Sequence, residues 1–425
     1  MIWLPEPLRI PAFRHYWLTR LAATMAQMAM VIVIGWQVYD IARRTMGVGE
    51  AAFQLGLVGL VQFVPLFALT PVSGWVADRL DRRHVARAVV LLEMVCALIL
   101  LWATWSGTVS IPILFAVAAL LGVARAFAGP ALGALAPNLV PREMLPQAIA
   151  LSSAAWQAGA IAGPAAGGIL YDILPYSSYA FSALLFAMSS VLLFLIGPVA
   201  RASIEPGRPI RRMIEGLQYV GRNRLVLGAI TLDLFAVLLG GVTAMLPLYA
   251  RDILEVGAQG LGPLRAAPAI GATLVAIVFA IRPIRTGVGV KMLTAVVVFG
   301  AATAIFGIST SYVLSLSMLT LLGASDMFSV YIRQSLIQLH TPDEMRGRVG
   351  AASTLAISAS NELGEARSGF TAALIGPVTA TVAGGIAAII ITLIWARWFP
   401  ELRRASTFEP PDEPPPQDAV IASGA

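Results

Sequence analysis

The sequence predicts an all-α membrane protein of twelve transmembrane helices in two pseudo-symmetric six-helix bundles. Three observations predict it. Apolar residues make up 58% of the 425 residues and charged residues only 12%. The chain divides into twelve long apolar stretches, and its second half repeats part of its first. Charged residues stand at about half their usual share, too few to cover a water-exposed surface of this size.

A membrane-crossing helix needs about 20 largely apolar residues. Such stretches lie near 17–41, 53–77, 85–105, 111–139, 148–172, 176–199, 225–250, 260–281, 289–309, 312–339, 348–373 and 376–399. The expected organisation is an N-terminal bundle over 1–200, a cytoplasmic linker with an amphipathic helix over 201–224, a C-terminal bundle over 225–400 and a disordered cytoplasmic tail over 401–425. That tail is rich in Pro and acids from Glu409 to Gln417. The first apolar run, Leu21 to Tyr39, is longer than a signal-peptide core and lacks a small-residue cleavage site, so it reads as a retained helix. In the linker, apolar residues at 213, 214, 217 and 220 share one helical face, as a helix lying on the membrane surface requires.

Loop charge gives the orientation. The connections after odd-numbered spans carry 3 basic residues, Arg43, Arg44 and Arg251, whereas those after even-numbered spans and the two ends together carry 21. Basic residues stay on the cytoplasmic side, so both termini are expected there, and an even number of spans is required. The formal net charge of +6 is loop charge of this kind rather than a nucleic-acid stripe, which would be gathered on one soluble face.

Sliding the chain against itself by 201 residues sets Leu120-Leu121-Gly122 on Leu321-Leu322-Gly323, Phe127 on Phe328, Leu135 on Leu336 and Pro141 on Pro342. Glu143-Met144 falls on Glu344-Met345, Ser152 on Ser353, Gly163 on Gly364 and Gly168 on Gly369, all without a gap. Spans 4–5 and 10–11 are therefore related. Six spans per unit is an even number, so the units run parallel, and parallel repeats place a substrate path between the halves near mid-membrane.

The loop after span 2 reads Gly74-Trp75-Val76-Ala77-Asp78-Arg79-Leu80-Asp81-Arg82-Arg83. It resembles the signature Gly-x-x-x-Asp-Arg-x-Gly-Arg-Arg of the major facilitator superfamily, with Asp81 in place of the second Gly. Span 5 reads Gly159-x-x-x-Gly163-Pro164-x-x-Gly167-Gly168, similar to the helix-5 antiporter motif of that family's exporters; Ala150 stands where the fuller motif has another Gly. The loops are similar to those of the branch of siderophore exporters and macrolide or multidrug efflux proteins. The resemblance implies a gate latch at Gly74, Asp78, Arg82 and Arg83, a bacterial inner-membrane location and proton-coupled export by alternating access. The residues themselves fit these roles. Glycines four apart let helices approach closely, Pro164 bends its helix, and Asp78 can meet a helix N-terminus.

Ionisable groups inside the membrane cost several kcal/mol unless paired or wet, so they are functional candidates. The acids are Asp40, Glu93, Asp233, Asp326, Glu362 and Glu365; the bases are Arg125, Arg333 and Arg367. Glu362 and Glu365 are three apart on one helix face. Their mutual repulsion in a low-dielectric cleft suits one of them to carrying a proton; the alternative is a polar cluster bracing span 11. Asp326 and Asp233 are further proton-coupling candidates. Arg125 and Asp326 occupy equivalent repeat positions and could pair across the halves; the alternative is that each is satisfied locally. Gln27, Trp36, Gln37 and Tyr39 of span 1, with Trp156 and Gln157 of span 5, could line an amphiphilic substrate, although Trp and Tyr also mark membrane interfaces.

Several activities are excluded or unsupported. Lys291, the one lysine, follows Val290, so no Gly-Lys pair exists and a P-loop ATP site is absent. The histidines His15, His84 and His340 sit at span edges, and Cys96 is the one cysteine, so no metal site, cofactor, disulfide or enzymatic activity is expected. The expected partners are a small-molecule substrate, protons and the lipid bilayer, with neither ATP nor nucleic acid, for a chain that works as a monomer. Uptake by proton symport or uniport is the alternative mode, and a non-transporting receptor or scaffold the alternative class.

Overall fold

In a computed structural model the protein is described over residues 5–133, 135–197, 209–282, 284 and 286–408. Twelve long helices follow one another: α1 Pro11–Ala42, α2 Val48–Arg79, α3 Arg82–Trp105, α4 Ile111–Gly133, α5 Leu145–Ile173, α6 Ser177–Leu195, α7 Arg224–Gly240, α8 Gly257–Ile281, α9 Val288–Ile308, α10 Tyr312–Leu339, α11 Asp343–Ile375 and α12 Pro377–Trp398. Ten are both long and apolar enough to cross a membrane among the described residues. The two others, α5 and α11, are 29 and 33 residues long. They fall short in apolarity because α5 is built from Ala, Gly and Ser, and α11 carries Glu362, Glu365 and Arg367. They are also the pair related by the repeat.

Local chemistry sets the helix ends. The Ser311 hydroxyl caps α10 by accepting from the Leu314 amide, and the Asn223 carbonyl oxygen caps α7 by accepting from the Val226 amide. Between α11 and α12 a single residue, Gly376 at φ +83°, makes the turn, a conformation costly to any residue with a Cβ. After α7, Gly240 and Gly241 end the regular helix, and the chain continues through short turns to a π-helical stretch, Tyr249–Ile253.

Within the first half α1 packs on α5 and α6, α2 on α4, and α3 on α4 and α6; within the second, α9 packs on α10 and α12, α8 on α10, and α7 on α11 and α12. The halves meet along two long seams, α2 against α11 and α5 against α8. The seams are counterparts under the repeat, since α2 corresponds to α8 and α5 to α11. With little hydrophobic drive between helices in lipid, small residues that bring backbones together supply the attraction. A Cβ at Gly168 of α5 would lie 2.5 Å from the Ala258 carbonyl oxygen of α8, and one at its repeat partner Gly369 of α11 would collide with the backbone of Gly56 of α2.

The linker forms a helix, Pro209–Arg222. Val220 is buried against the second half while Ile214 and Leu217 stay exposed; Met213 lies outside the described side chains. The Tyr219 hydroxyl donates to the His340 carbonyl, and Arg348 pairs with Glu215 at 2.9 Å, so this helix is anchored to the second half. The expectation of disorder from 401 onward needs correction over 401–408. Pro400–Arg404 is helical, Leu402 is fully buried, and the Gly287 and Gly289 amides donate to the Ser406 and Ala405 carbonyls. Trp395, Trp398 and Phe399 form an aromatic cluster where α12 ends, and Arg224 pairs with Glu401 at 2.9 Å; these contacts draw the segment onto the helix ends. Residues 409–425 lie outside the described residues.

Candidate functional site

At mid-height of the α2–α11 seam, charged side chains from both halves converge. Arg125 of α4 reaches across to Glu362 of α11, Nη1 to Oε1 2.6 Å, and the same nitrogen donates to Oε1 of Gln62 in α2 at 3.4 Å. The Glu362 side chain is 5% exposed and that of Arg125 35%, so a buried carboxylate faces a guanidinium open on its other side. Glu93, buried in α3, lies within electrostatic reach of Arg125.

One turn along α11, Glu365 has different company. Its Oε1 accepts from the Thr243 hydroxyl at 3.0 Å, and Arg265 of α8 stands 3.9 Å away. Both partners belong to Glu365's own half. Thr243 is placed there by the break after Gly241, which turns the chain back toward α11. Val31, Leu55, Gly59, Gln62, Arg265 and Glu365 are among the residues lining a narrow cavity of about 40 Å³ between the halves. Gly59 is tightly placed: a Cβ there would lie 3.1 Å from Cβ of Glu365 and 3.3 Å from the Glu362 carbonyl oxygen.

The structure separates other residues that the sequence grouped. Arg125 meets Glu362 rather than Asp326. Asp326 is in the second half, lining a small cavity with Asp233, while Arg333 forms an ion pair with Asp233. The Arg125–Asp326 pairing is therefore not formed, because α11 with its glycine seam comes closer to the first half than α10 does. Gln37 is not a lining residue. It is buried, donates to the Thr104 hydroxyl at 3.2 Å and accepts from the Tyr179 hydroxyl at 2.7 Å, bracing α1 to α3 and α6. Trp36 packs against the large buried core to which both halves contribute, Gln27 is half-buried and Trp156 is exposed. Gln157 bridges the α5–α8 seam, its Nε2 donating to the Ala269 carbonyl and the Thr273 hydroxyl, each at 2.8 Å.

The span-5 glycines divide between two tasks. Gly159, Gly163 and Gly167 sit on the backbone and Cβ atoms of α1, holding the first half together, while Gly168 faces α8 in the other half. Pro164 lies inside α5 and its carbonyl oxygen approaches Gly262 of α8. The expected loop after span 2 is mostly helical: Gly74 and Asp78 fall within the end of α2, and their side-chain surroundings lie outside the described residues. Asp81 has φ −64°, which needs no glycine, and its carboxylate caps α3 by accepting from the Arg83 amide at 3.0 Å. Arg83 pairs with Asp81 at 2.6 Å and donates to the Ile196 carbonyl at 3.3 Å, so here it braces its own half. Arg82 opens α3.

The Arg83 guanidinium beside Asp81 holds that carboxyl down at about 2. A depressed folded-state pKa contributes stability above the unfolded value near 4 that is lost as pH falls toward 2. Thermal unfolding in detergent should therefore show the Asp81 contribution as constant between pH 5 and 8. Asp81→Ala, which removes cap and pair together, should cost about 1 kcal/mol across that range.

Asp252, which sequence reasoning did not single out, joins Tyr39, Asp40, Arg43 and Arg251 in closing the end of the bundles away from the termini. Asp252 of the π-helical stretch accepts from the Tyr39 hydroxyl at 2.6 Å and from Arg43 Nε at 2.9 Å; Arg251 pairs with Asp40 at 3.3 Å. The two contacts run in opposite charge directions between the end of α1 and the continuation of α7. The only hint in the sequence is the few charges near that end. The Asp252→Ala variant should loosen this closure by about 1 kcal/mol, since the pairs are partly exposed. Spin labels on the α1–α2 and α7–α8 connections should then show a roughly fivefold larger open population.

Comparison with known proteins agrees with this architecture. A family profile described as Major Facilitator Superfamily matches residues 16–365. The chain is 26% identical over 429 residues to an enterobactin exporter of Escherichia coli O6:K15:H31 (strain 536 / UPEC), covering 98% of this chain and 96% of that protein. It is 26% identical over 403 residues to the enterobactin exporter of Shigella boydii serotype 18, covering 93% of each. Among solved structures, a D-xylose-proton symporter superposes with a TM-score of 0.68 at 12% identity, over 91% of this chain and 98% of that one. An inward-facing, unoccupied bacterial homologue of the lysosomal transporter Spinster gives 0.66 at 15% identity, over 94% and 98%.

Proposed function

The chain belongs to the major facilitator superfamily and transports a small molecule, and on that premise we propose that it exports an amphiphilic compound, of the drug or siderophore kind, in exchange for protons. The reading places it in a bacterial inner membrane as a monomer, with both termini in the cytoplasm.

The observation that carries the reading is the ion pair between Arg125 in one half and buried Glu362 in the other. Breaking a buried pair leaves an uncompensated charge at a cost of about 3–5 kcal/mol. The halves can separate at low cost only if Glu362 is neutralised first, and a proton does that. Protonation thus favours the state in which α4 and α11 part, and deprotonation favours the paired state. Substrate occupying the cavity beside Gln62, Arg265 and Glu365 would cross in one direction as the proton crosses in the other. Export, as opposed to uptake, draws support from the span-5 glycine motif and from the relatives named as enterobactin exporters.

The test is expression in an efflux-deficient host with a screen of drugs and siderophores for resistance or secretion, repeated with an uncoupler. Extrusion that collapses with the proton gradient is the expected result. Extrusion that persists without the gradient overturns proton coupling, and accumulation in place of extrusion overturns the direction.

A further inference from the structure

A second charged cluster lies wholly inside the C-terminal half and takes no part in the contact between the halves. Asp233 of α7 and Arg333 of α10 form an ion pair, with side chains 9% and 3% exposed. Asp326, two turns before Arg333 on α10, lines a cavity of about 10 Å³, the size of a single small ion or water, together with Asp233, Ser325 and Ser329, walled by Val296 and Phe299 of α9. The cluster therefore holds two carboxylates and one guanidinium.

Among the described residues no other charged side chain pairs with it. Arg367 of α11 donates to the Leu239 carbonyl and to Ser368. Arg265 stands by Glu365. Lys291 and Arg397 lie in the terminal turns of α9 and α12. Among the described residues Asp326 has neither an ion-pair nor a hydrogen-bond partner. Ser329, 5% exposed and lining the same cavity, has no hydrogen-bond partner either. Ser325 donates to the Leu321 carbonyl, which leaves its oxygen lone pairs free to accept. A surplus negative charge in a membrane interior is costly, and a cavity walled by carboxylate and hydroxyl oxygens suits a small hard cation. No group of three or more His, Cys, Asp or Glu that could hold a metal ion occurs among the described residues, and a single surplus charge matches a monovalent ion.

We propose that Asp326 and Asp233, with the Ser325 and Ser329 hydroxyls, hold one exchangeable monovalent cation, a proton or a sodium ion, at a site separate from Glu362. Arg333 fixes Asp233 on one side, and the bound cation completes the charge balance on the other. A cation that binds the folded state stabilises it by mass action.

The purified full-length protein in detergent is heated in sodium chloride or choline chloride at equal ionic strength, from pH 6 to pH 9. In choline the melting temperature should fall by about 2–4 °C as pH rises and protons leave the site. Restoration by sodium at pH 9 identifies sodium as an occupant; a pH dependence that sodium leaves unchanged identifies the proton alone. The Asp326→Asn variant, neutral at every pH, should lose the dependence and melt at pH 9 no lower than the parent. Ser329→Ala, which keeps both carboxylates, should lose sodium restoration and retain the pH response. An unchanged melting temperature in all conditions overturns the proposal. So does a dependence that survives in Asp326→Asn, or one that is abolished by Glu362→Gln. Because no gradient or substrate is involved, the result is independent of whether Glu362 couples protons to export.

Discussion

Proteoliposomes containing the Glu362→Gln variant should lose substrate flux driven by a pH gradient by a factor of about 100 or more, while equilibrium substrate binding stays within about threefold. Gln preserves the size of the side chain and can still accept from Arg125, but it cannot release and regain a proton. Exchange of labelled for unlabelled substrate without a gradient should survive, because the variant is held in one protonation-like state and can still change shape. Glu365→Gln should have the smaller effect. Its partners Thr243 and Arg265 are in its own half, so its charge is not broken from a partner when the halves move. The assignment of coupling to Glu362 fails if gradient-driven flux is unchanged in Glu362→Gln. Arg125→Gln provides the complementary measurement. It strands a buried carboxylate at a cost near 3 kcal/mol, the low end for a broken pair because Arg125 is partly open, and it should shift the protein toward the separated state.

The second large effect is steric. Gly168→Val and Gly369→Val should each lower the transport rate by at least tenfold, because each puts a side chain where another helix's backbone already lies. A Cβ at Gly168 would sit 2.5 Å from the Ala258 carbonyl oxygen and 3.0 Å from the Gly262 amide nitrogen, and one at Gly369 would sit 2.8 Å from the Ala52 carbonyl oxygen besides striking Gly56. Backbone cannot move aside as a flexible side chain would, so the seams would open, with overpacking typically costing about 1–3 kcal/mol. Cysteine cross-linking between α2 and α11, and between α5 and α8, should weaken in step with the rate. Gly347→Val and Gly350→Val are the controls, since a Cβ at either meets nothing within 4 Å; equal loss in the controls would show that the seams are not the cause.

The two effects together describe a molecule whose halves touch through glycine and are held by charge. Small-residue contacts are weak enough individually to slide or part, whereas under the proposed mechanism the Arg125–Glu362 pair favours one state until it is neutralised. The closure at the far end, through Asp252 and Asp40, adds contacts that must also break when that end opens. Tyr219 and Glu215 tie the linker helix to the second half.

The sequence alone determined the architecture and the list of costly residues. Helix count follows from stretch length against membrane thickness, and the two-unit plan from the offset of 201 that aligns Gly168 with Gly369 and Pro141 with Pro342. The rarity of charges in the spans likewise marked Arg125, Asp233, Asp326, Glu362 and Glu365. Which charge meets which was decided only by the tertiary structure. Repeat equivalence put Arg125 opposite Asp326, but equivalent positions in parallel units are related by rotation about the axis between the halves and need not touch. The glycine seam brings α11, with Glu362, within reach of α4. Asp326 stays inside its own bundle, and a break after Gly241 delivers Thr243 to Glu365. Hydrophobicity is a property of each segment and can be summed along the chain. Ion pairing depends on distances of a few ångströms between segments far apart in sequence, and those distances exist only once the helices have packed.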